Sequence, residues 1–269
     1  MSITLVTALY DINREHNGDG RTFSQYISWF SNTLKIPTPM VVFVPRSLVS
    51  FVLENRKNLP TQVIEQELQG VPYYFLNDKI DAILNDKDYK DKIQNPERVE
   101  CNNSLYNVII FSKFQWIKRA IQENYFNTDM FMWMDAGLSR FFDEEDLNNP
   151  YPSTNGLEAM KQNIDKVIIQ TSMSYYPDLV NAKECNEDYF WDSRTWVMAG
   201  LWGGGKKALL EFCGLIDDVL QNKMIQNSVI NNEQNAMAYV YKNNPDLFLA
   251  FENYANLHRN YEFIQELAK

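Results

Sequence analysis

Short apolar runs recur along the chain, and most are followed by a polar turn and a stretch with helical spacing. Ile3 to Ala8 is the first run. It passes through Leu9-Tyr10-Asp11 into a loop from Asn13 to Gly20 dense in charge, Asn and Gly, which predicts a strand and then a loop. Thr22-Phe23 opens a helix, because Phe23, Tyr26, Ile27, Phe30 and Leu34 share one helical face. Pro37 and Pro39 end it. Met40 to Val44, bounded by prolines, reads as a strand buried on both faces of a parallel sheet, and Arg46 to Glu54 as the next helix. Val71 to Leu76 reads as a further strand, and the charged segment Asn77 to Lys92 as solvated helix and loop. Asn107 to Phe111 is a short apolar patch. Lys113 to Glu123 is a helix with Phe114, Ile117, Ala120 and Ile121 on one face.

The second half continues in the same style. Met130-Phe131-Met132-Trp133-Met134 predicts a buried strand that stops on Asp135, Ala136 and Gly137. Asp143-Glu144-Glu145-Asp146 reads as a solvated acidic turn. Val167 to Gln170 is a short strand, and Thr195 to Leu201 is a strand ending in Trp202-Gly203-Gly204-Gly205. Lys206 to Leu220 and Asn231 to Tyr241 are amphipathic helices, and Asp246 to Phe251 is a last strand. The alternation predicts an α/β fold with a mainly parallel, Rossmann-like central sheet flanked by helices. No repeat and no Pro/Gly/Ser linker divides the chain, so residues 1–269 read as one domain.

Composition narrows the function classes. Apolar residues make up 45% of the chain, enough for a packed core and against disorder. The net charge of −10 argues against a nucleic-acid binder, but leaves room for a small basic pocket that takes a diphosphate. Cys101, Cys185 and Cys213 are scattered with no C-x-x-C, which points to a reducing compartment and no zinc site. No run of about 18 apolar residues predicts a membrane span. The N-terminus lacks the basic region and cleavage site of a signal peptide, so the expected location is cytoplasmic.

Four groups could carry chemistry. The first is the end of the first strand, Ala8-Leu9-Tyr10-Asp11, which is either a nucleotide-side loop or an ordinary β–α connection. Neither a G-x-G-x-x-G nor a P-loop pattern occurs in the chain. The second is Asp135. A carboxylate at the end of a buried strand needs a partner, and strand ends are where open α/β sheets bind ligands; capping the following turn is the plainer role. The third is Ala199-Gly200-Leu201-Trp202-Gly203-Gly204-Gly205 with Lys206 and Lys207, either a close approach of backbone to an anionic ligand or a tight strand-to-helix turn. The fourth is Asn231-Asn232-Glu233-Gln234, where Glu233 is either a first-turn helix acid or a group facing a reacting centre. His16 reads as exposed. His258 is either structural or a metal ligand that completes a site with Asp135.

Taken in chain order, these groups resemble a nucleotide-sugar glycosyltransferase of the GT-A fold. That resemblance implies nucleotide near the first strand and a divalent cation, Mn2+ or Mg2+, on an acidic D-x-D-type motif. Here the motif reads Trp133-Met134-Asp135-Ala136-Gly137, with one carboxylate where many families have two. More specifically, the whole chain resembles the HtrL/YibB-like family. The residues that carry this are Ile3 to Ala8 with Tyr10-Asp11, Arg21 through Trp29-Phe30, Ser112-Lys113-Phe114, Trp133 to Gly137, Ala199 to Gly204 and Glu233-Gln234.

The resemblance places Thr7, Ala8, Tyr10, Arg21, Lys113, Asp135, Ala136 and Gly137 on the donor side, with Asp135 and His258 as metal ligands. Gly200, Trp202, Gly203 and Gly204 fall on the acceptor and sugar side, and Glu233 and Gln234 at the chemistry. The activity implied is transfer of a sugar from a nucleoside-diphosphate sugar, with UDP as the expected nucleotide, to a glycan, lipid-linked or protein acceptor. The cation would act as a Lewis acid on the leaving diphosphate, assisted by Lys113 or Arg21. Two alternatives stay open: a degenerate GT-A-fold protein that only binds nucleotide or sugar, and an oligomeric scaffold that binds partners through aromatic residues.

Overall fold

The computed structural model describes residues 2–16, 18–142, 146–172, 176, 178–179, 182, 185–253 and 267. Seven strands form one sheet: β1 (Ile3–Ala8), β2 (Met40–Val44), β3 (Thr61–Glu65), β4 (Met130–Met134), β5 (Val167–Ser172), β6 (Val197–Gly205) and β7 (Phe248–Asn253). Their order is β3-β2-β1-β4-β6-β5-β7. All run parallel except β6, which is antiparallel to both β4 and β5. The fold is therefore α/β with a mainly parallel sheet, as the alternation of elements predicts.

The continuous apolar strands make sense because both sheet faces are covered. Side chains alternate between faces along a strand. Val6, Val41, Phe43, Phe131 and Trp133 enter one core, while Leu5, Val42, Met130, Met132 and Met134 enter the other. The first core is closed by α5 (Ser104–Glu123), α7 (Lys206–Asp218) and α8 (Glu233–Asn243), through residues such as Phe114, Phe212 and Met237. The second is closed by α1 (Phe23–Thr33), α2 (Arg46–Arg56) and α6 (Thr154–Gln162), through Phe30, Val52 and Met160. Two further helices, α3 (Asn77–Asn85) and α4 (Lys87–Lys92), lie in the charged segment. No helix among the described residues is long and apolar enough to cross a membrane.

Three local expectations change. Val71 to Leu76 is not a strand but a pair of 3-10 turns, Leu68–Gly70 and Tyr74–Leu76, with Tyr73 and Leu76 buried in the first core. The strand of that region is Thr61–Glu65, which holds an edge by pairing with β2. Its mixed Thr-Gln-Val-Ile-Glu pattern follows from partial exposure, only Ile64 being buried. The patch Asn107 to Phe111 is not separate from the helix after it. One 20-residue helix spans both, capped by Asn103, whose side chain accepts from the Tyr106 amide. Of the acidic turn, only Asp146 lies within the described residues, opening the 3-10 turn Asp146–Asn148.

The glycine run is the largest departure. Because β6 is antiparallel to β4, Leu201 lies opposite Met134 and Gly205 opposite Met130. Gly203, Gly204 and Gly205 therefore lie toward the end of the sheet opposite Asp135. Lys206 lies there too, 3.7 Å from Asp129, so the helix N-terminus faces no site at Asp135. The glycines serve backbone packing. A Cβ on Gly203 would stand 2.7 Å from the Phe131 carbonyl oxygen, and one on Gly204 2.3 Å from that of Lys166. Trp202 is fully buried, opposite Trp133, and stacks on Phe114 at 5.1 Å. We expect Gly204→Ala to destabilise the protein by about 1–3 kcal/mol, as overpacking against fixed backbone does, read as a lower urea midpoint. An unchanged midpoint would show that the Lys166 turn yields freely.

Candidate functional site

The sheet order reverses at β1, since the chain goes from β1 to β2 on one side and returns to β4 on the other. In open α/β sheets the crevice beyond the carboxyl ends of strands at such a point is where ligands bind. A cavity of about 310 Å³ occupies that place. Its walls are Ala8 to Ile12 after β1, Asp135 to Leu138 after β4, the start of β6, the middle of α5 and the first turn of α8.

At its base lies a triad built from three distant parts of the chain. Lys113, in mid-α5 and buried, donates from Nζ to Glu233 Oε1 at 2.6 Å and stands 3.0 Å from Asp135 Oδ1. The Trp133 indole N–H donates to the same Asp135 oxygen at 2.7 Å. The Asp135 amide donates to the Gly200 carbonyl at 2.9 Å, which ties the end of β4 to β6. Gly200 leaves little space there: a Cβ would stand 3.0 Å from Leu138 Cδ1 and 3.4 Å from Asp135 Oδ2. Glu233 Oε2 is buried with no hydrogen-bond partner.

Burial raises the Glu233 carboxyl above its ordinary range, although the Lys113 charge works the other way. Burial alone would lower the Lys113 ammonium, but Asp135 and Glu233 together raise it, so it is a permanent cation in the site.

Glu233 is fixed from behind. Asn232 caps α8 by accepting from the Gln234 amide at 3.0 Å. Asn231 donates to the Phe190 and Asp192 carbonyls, and Asn235 to those of Tyr189 and Asp192. Arg98 holds Asn231 Oδ1 at 3.0 Å and Glu100 at 2.8 Å, and Asn232 donates to that same Glu100 oxygen at 3.3 Å.

The outer wall is basic and aromatic. Arg14 pairs with Asp19 at 2.7 and 2.8 Å, donates to the Tyr26 hydroxyl and stacks on Tyr106 at 4.8 Å. Arg21 stands 3.2 Å from Asp19. Arg140 donates to the Gly137 carbonyl at 2.7 Å and lies over Trp29 and Phe141. Tyr10, Trp116 and Trp133 form a near-parallel stack with successive centroids 5.6 and 5.9 Å apart. Among the described lining residues, four basic side chains face three acidic ones, in a chain whose net charge is −10. With Asp19, which pairs with both Arg14 and Arg21 just outside the lining, the charges balance, so the cavity gathers positive charge without a net excess of it.

Of the residues singled out from sequence, Ala8, Tyr10, Arg21, Lys113, Asp135, Ala136, Gly137, Gly200, Glu233 and Gln234 share this cavity. Thr7 is not among its lining residues but is wholly buried in β1, and Trp202, Gly203 and Gly204 are likewise away from it, for the strand-direction reason given above. His258 lies outside the described residues. Arg14, Arg98, Glu100 and Arg140 were not anticipated. Arg14 sits in a loop with no periodicity, and Arg98 and Glu100 in a charged stretch that reads as surface.

The donor set for Mn2+ or Mg2+ is a poor fit among the described residues. Asp135 Oδ1 already accepts from a lysine and an indole. Position 137, where a second acid of a D-x-D motif would stand, is glycine, and an ideal Cβ there would lie 2.9 Å from the tip of Arg140, at Nη1, and 3.1 Å from the Trp29 ring. No group of three His, Cys, Asp or Glu side chains suited to a metal ion occurs among these residues.

Comparison with solved structures finds mouse xyloside xylosyltransferase 1 in its apo form, with 10% identity over 99% of this chain and 91% of that one, and a TM-score of 0.47. No curated protein matches the sequence. The model of a family described as "Bacterial protein of unknown function (HtrL_YibB)" matches residues 1–261. The chain belongs to the HtrL_YibB family.

Proposed function

We propose that this protein is a nucleotide-sugar-dependent glycosyltransferase that moves a hexose-type sugar from a nucleoside-diphosphate donor, UDP foremost, to a glycan, lipid-linked or protein acceptor. The observation that carries the reading is the Asp135–Lys113–Glu233 triad, set in a cavity at the sheet's switch point. It offers fixed positive charge beside fixed negative charge, which is what sugar transfer from a diphosphate requires. The bond from the anomeric carbon to the β-phosphate oxygen breaks, and its electron pair stays on that oxygen. The acceptor oxygen bonds to the carbon, and its proton leaves with the diphosphate.

In the transition state the sugar ring gains positive charge. In this reading Glu233 meets that charge, and three observations support the role: it borders the cavity, Lys113 holds Oε1, and buried Oε2 has no hydrogen-bond partner. A preorganised charge in a dry site acts more strongly than one in water. Arg14 and Arg21, held by Asp19, supply positive charge on the donor side. Gln234, beside Glu233 in the cavity lining, offers an amide to sugar hydroxyls.

The test is a panel of UDP-, GDP- and ADP-sugars, with hydrolysis and transfer to simple sugar acceptors followed by release of nucleoside diphosphate. At least one donor is expected to turn over, and Asp135→Asn to cut the rate by on the order of 10²-fold. An equal rate in Asp135→Asn overturns the site assignment. Tight donor binding with no turnover on any acceptor favours the binding-only reading, which the single carboxylate of the motif motivates.

A further inference from the structure

We infer that the ammonium of Lys113, and not a metal ion held by Asp135, is the positive charge that meets the leaving diphosphate, so that donor binding in this protein needs no divalent cation. The inference rests on the reading of the cavity as a nucleoside-diphosphate-sugar site and goes beyond it by naming the counter-charge.

Three observations lead there. First, the carboxylate that should hold a cation is committed. Asp135 Oδ1 accepts from Trp133 Nε1 at 2.7 Å and faces Lys113 Nζ at 3.0 Å. A cation on Asp135 Oδ2 would share one carboxylate with an ammonium that cannot withdraw, because Lys113 is buried in mid-helix and also bound to Glu233. Second, the place of a second acid holds a glycine with a guanidinium beside it. At Gly137 the ideal Cβ position lies 2.9 Å from the Arg140 guanidinium, which in turn donates to the Gly137 carbonyl. The motif thus offers one carboxylate, Asp135, with Lys113 and Arg140 as its basic neighbours.

Third, Lys113 has a donor to spare. An ammonium has three N–H groups, and two acceptors, Glu233 Oε1 and Asp135 Oδ1, are found for it among the described residues. Lys113 also borders the cavity, so its third N–H is available to a phosphate oxygen. When the bond to the anomeric carbon breaks, one negative charge develops on the β-phosphate. Lys113 stays protonated and donates to it, and the acceptor's proton departs with the diphosphate, so no further reactant is needed. The same ammonium bonds Glu233, and one side chain therefore links leaving-group and sugar sides of the site.

The experiment is calorimetric titration with UDP, GDP, ADP and CDP and with their nucleosides, in EDTA and again with excess Mn2+. One diphosphate is expected to bind in EDTA, with an affinity in Mn2+ that differs by no more than about threefold. Lys113→Met leaves two carboxylates facing each other, a destabilising change. It is therefore accompanied by the double variant Lys113→Met/Glu233→Gln, which removes one charge of each sign. In that variant diphosphate affinity in EDTA should fall by about tenfold or more, the worth of one charge-assisted hydrogen bond, while affinity for the parent nucleoside stays the same. Diphosphate binding that is absent in EDTA and restored by Mn2+ overturns the inference and leaves the transferase reading standing. Unchanged diphosphate affinity in the double variant, or an equal loss for the nucleoside, overturns the role of Lys113. Failure of every diphosphate under both conditions overturns the transferase reading together with it.

Discussion

Glu233→Gln is expected to reduce sugar transfer by on the order of 10²–10³-fold, the usual cost of removing one preorganised charge aimed at a transition state, with donor affinity nearly unchanged. The substitution keeps the shape of the side chain and an oxygen for Lys113, so the ammonium remains in place between position 233 and Asp135. What it removes is the negative charge of a carboxylate whose Oε2 has no other partner. The pH dependence separates this role from a structural one. Burial raises the Glu233 carboxyl above its ordinary value of 4.5, so the wild-type rate should climb with pH through that raised value, and the climb should vanish in Glu233→Gln. Stability moves the opposite way. A folded-state carboxyl that binds its proton more tightly than the unfolded chain costs stability as pH rises from 4.5 through the folded value. Thermal unfolding should then show Glu233→Gln gaining on wild type across that window and holding its gain above it. An equal transfer rate in the two proteins at neutral pH would remove Glu233 from the chemistry.

The triad illustrates which parts of a site can be read along a chain. Asp135 was legible because an apolar run ended on it, and a charge at the end of a buried strand needs a reason. Glu233 was legible as an acid opening an amphipathic helix. Lys113, by contrast, lies within what reads as an ordinary helix, and nothing local says that its ammonium meets an acid 120 residues away. Helical spacing identifies a buried face, but not a single lysine buried on it.

The glycine run misleads for a related reason. Trp202-Gly203-Gly204-Gly205 has the composition of a ligand loop, yet what separates Gly200 from Gly203 is only the direction of β6, a property of the assembled sheet. Gly200 falls beside Asp135, and the glycines after it fall beside the first three residues of β4. Likewise β3 was missed because it is an edge strand with one buried residue, a pattern that local alternation does not distinguish from loop. Where both faces of a strand are buried, as in β2 and β4, pattern and structure agree.

Arg56→Met is expected to destabilise the fold by about 3–5 kcal/mol, the range for breaking a buried, charged hydrogen-bond network by removing one member. Arg56 closes α2 and is 1% exposed, with carbonyl and hydroxyl oxygens, and no carboxylate, accepting from it among the described residues. Its guanidinium donates instead to the carbonyls of Leu34, Ile36, Thr38 and Pro60, and to the Thr61 hydroxyl. Those acceptors belong to the chain entering β2 and the chain entering β3, so one side chain ties two strand approaches together. Burial lowers its pKa to about 10, which leaves it charged at neutral pH. The cost of burying that charge is offset because all five donors of a planar fork find oxygen.

Methionine fills a similar volume and satisfies none of the carbonyls, each of which is then desolvated without a partner. Lysine restores the charge but not the fork, so Arg56→Lys should fall between the two. Urea unfolding measures both. The cavity at the switch point lies beyond the carboxyl ends of β1 and β4, whereas Arg56 acts at the other end of the strands. Folded Arg56→Met should therefore bind donor as wild type does, at a lower urea midpoint. A midpoint within about 0.5 kcal/mol of wild type, the scale of an ordinary surface change, would mean that water reaches these carbonyls and that the β2–β3 edge stands without its arginine.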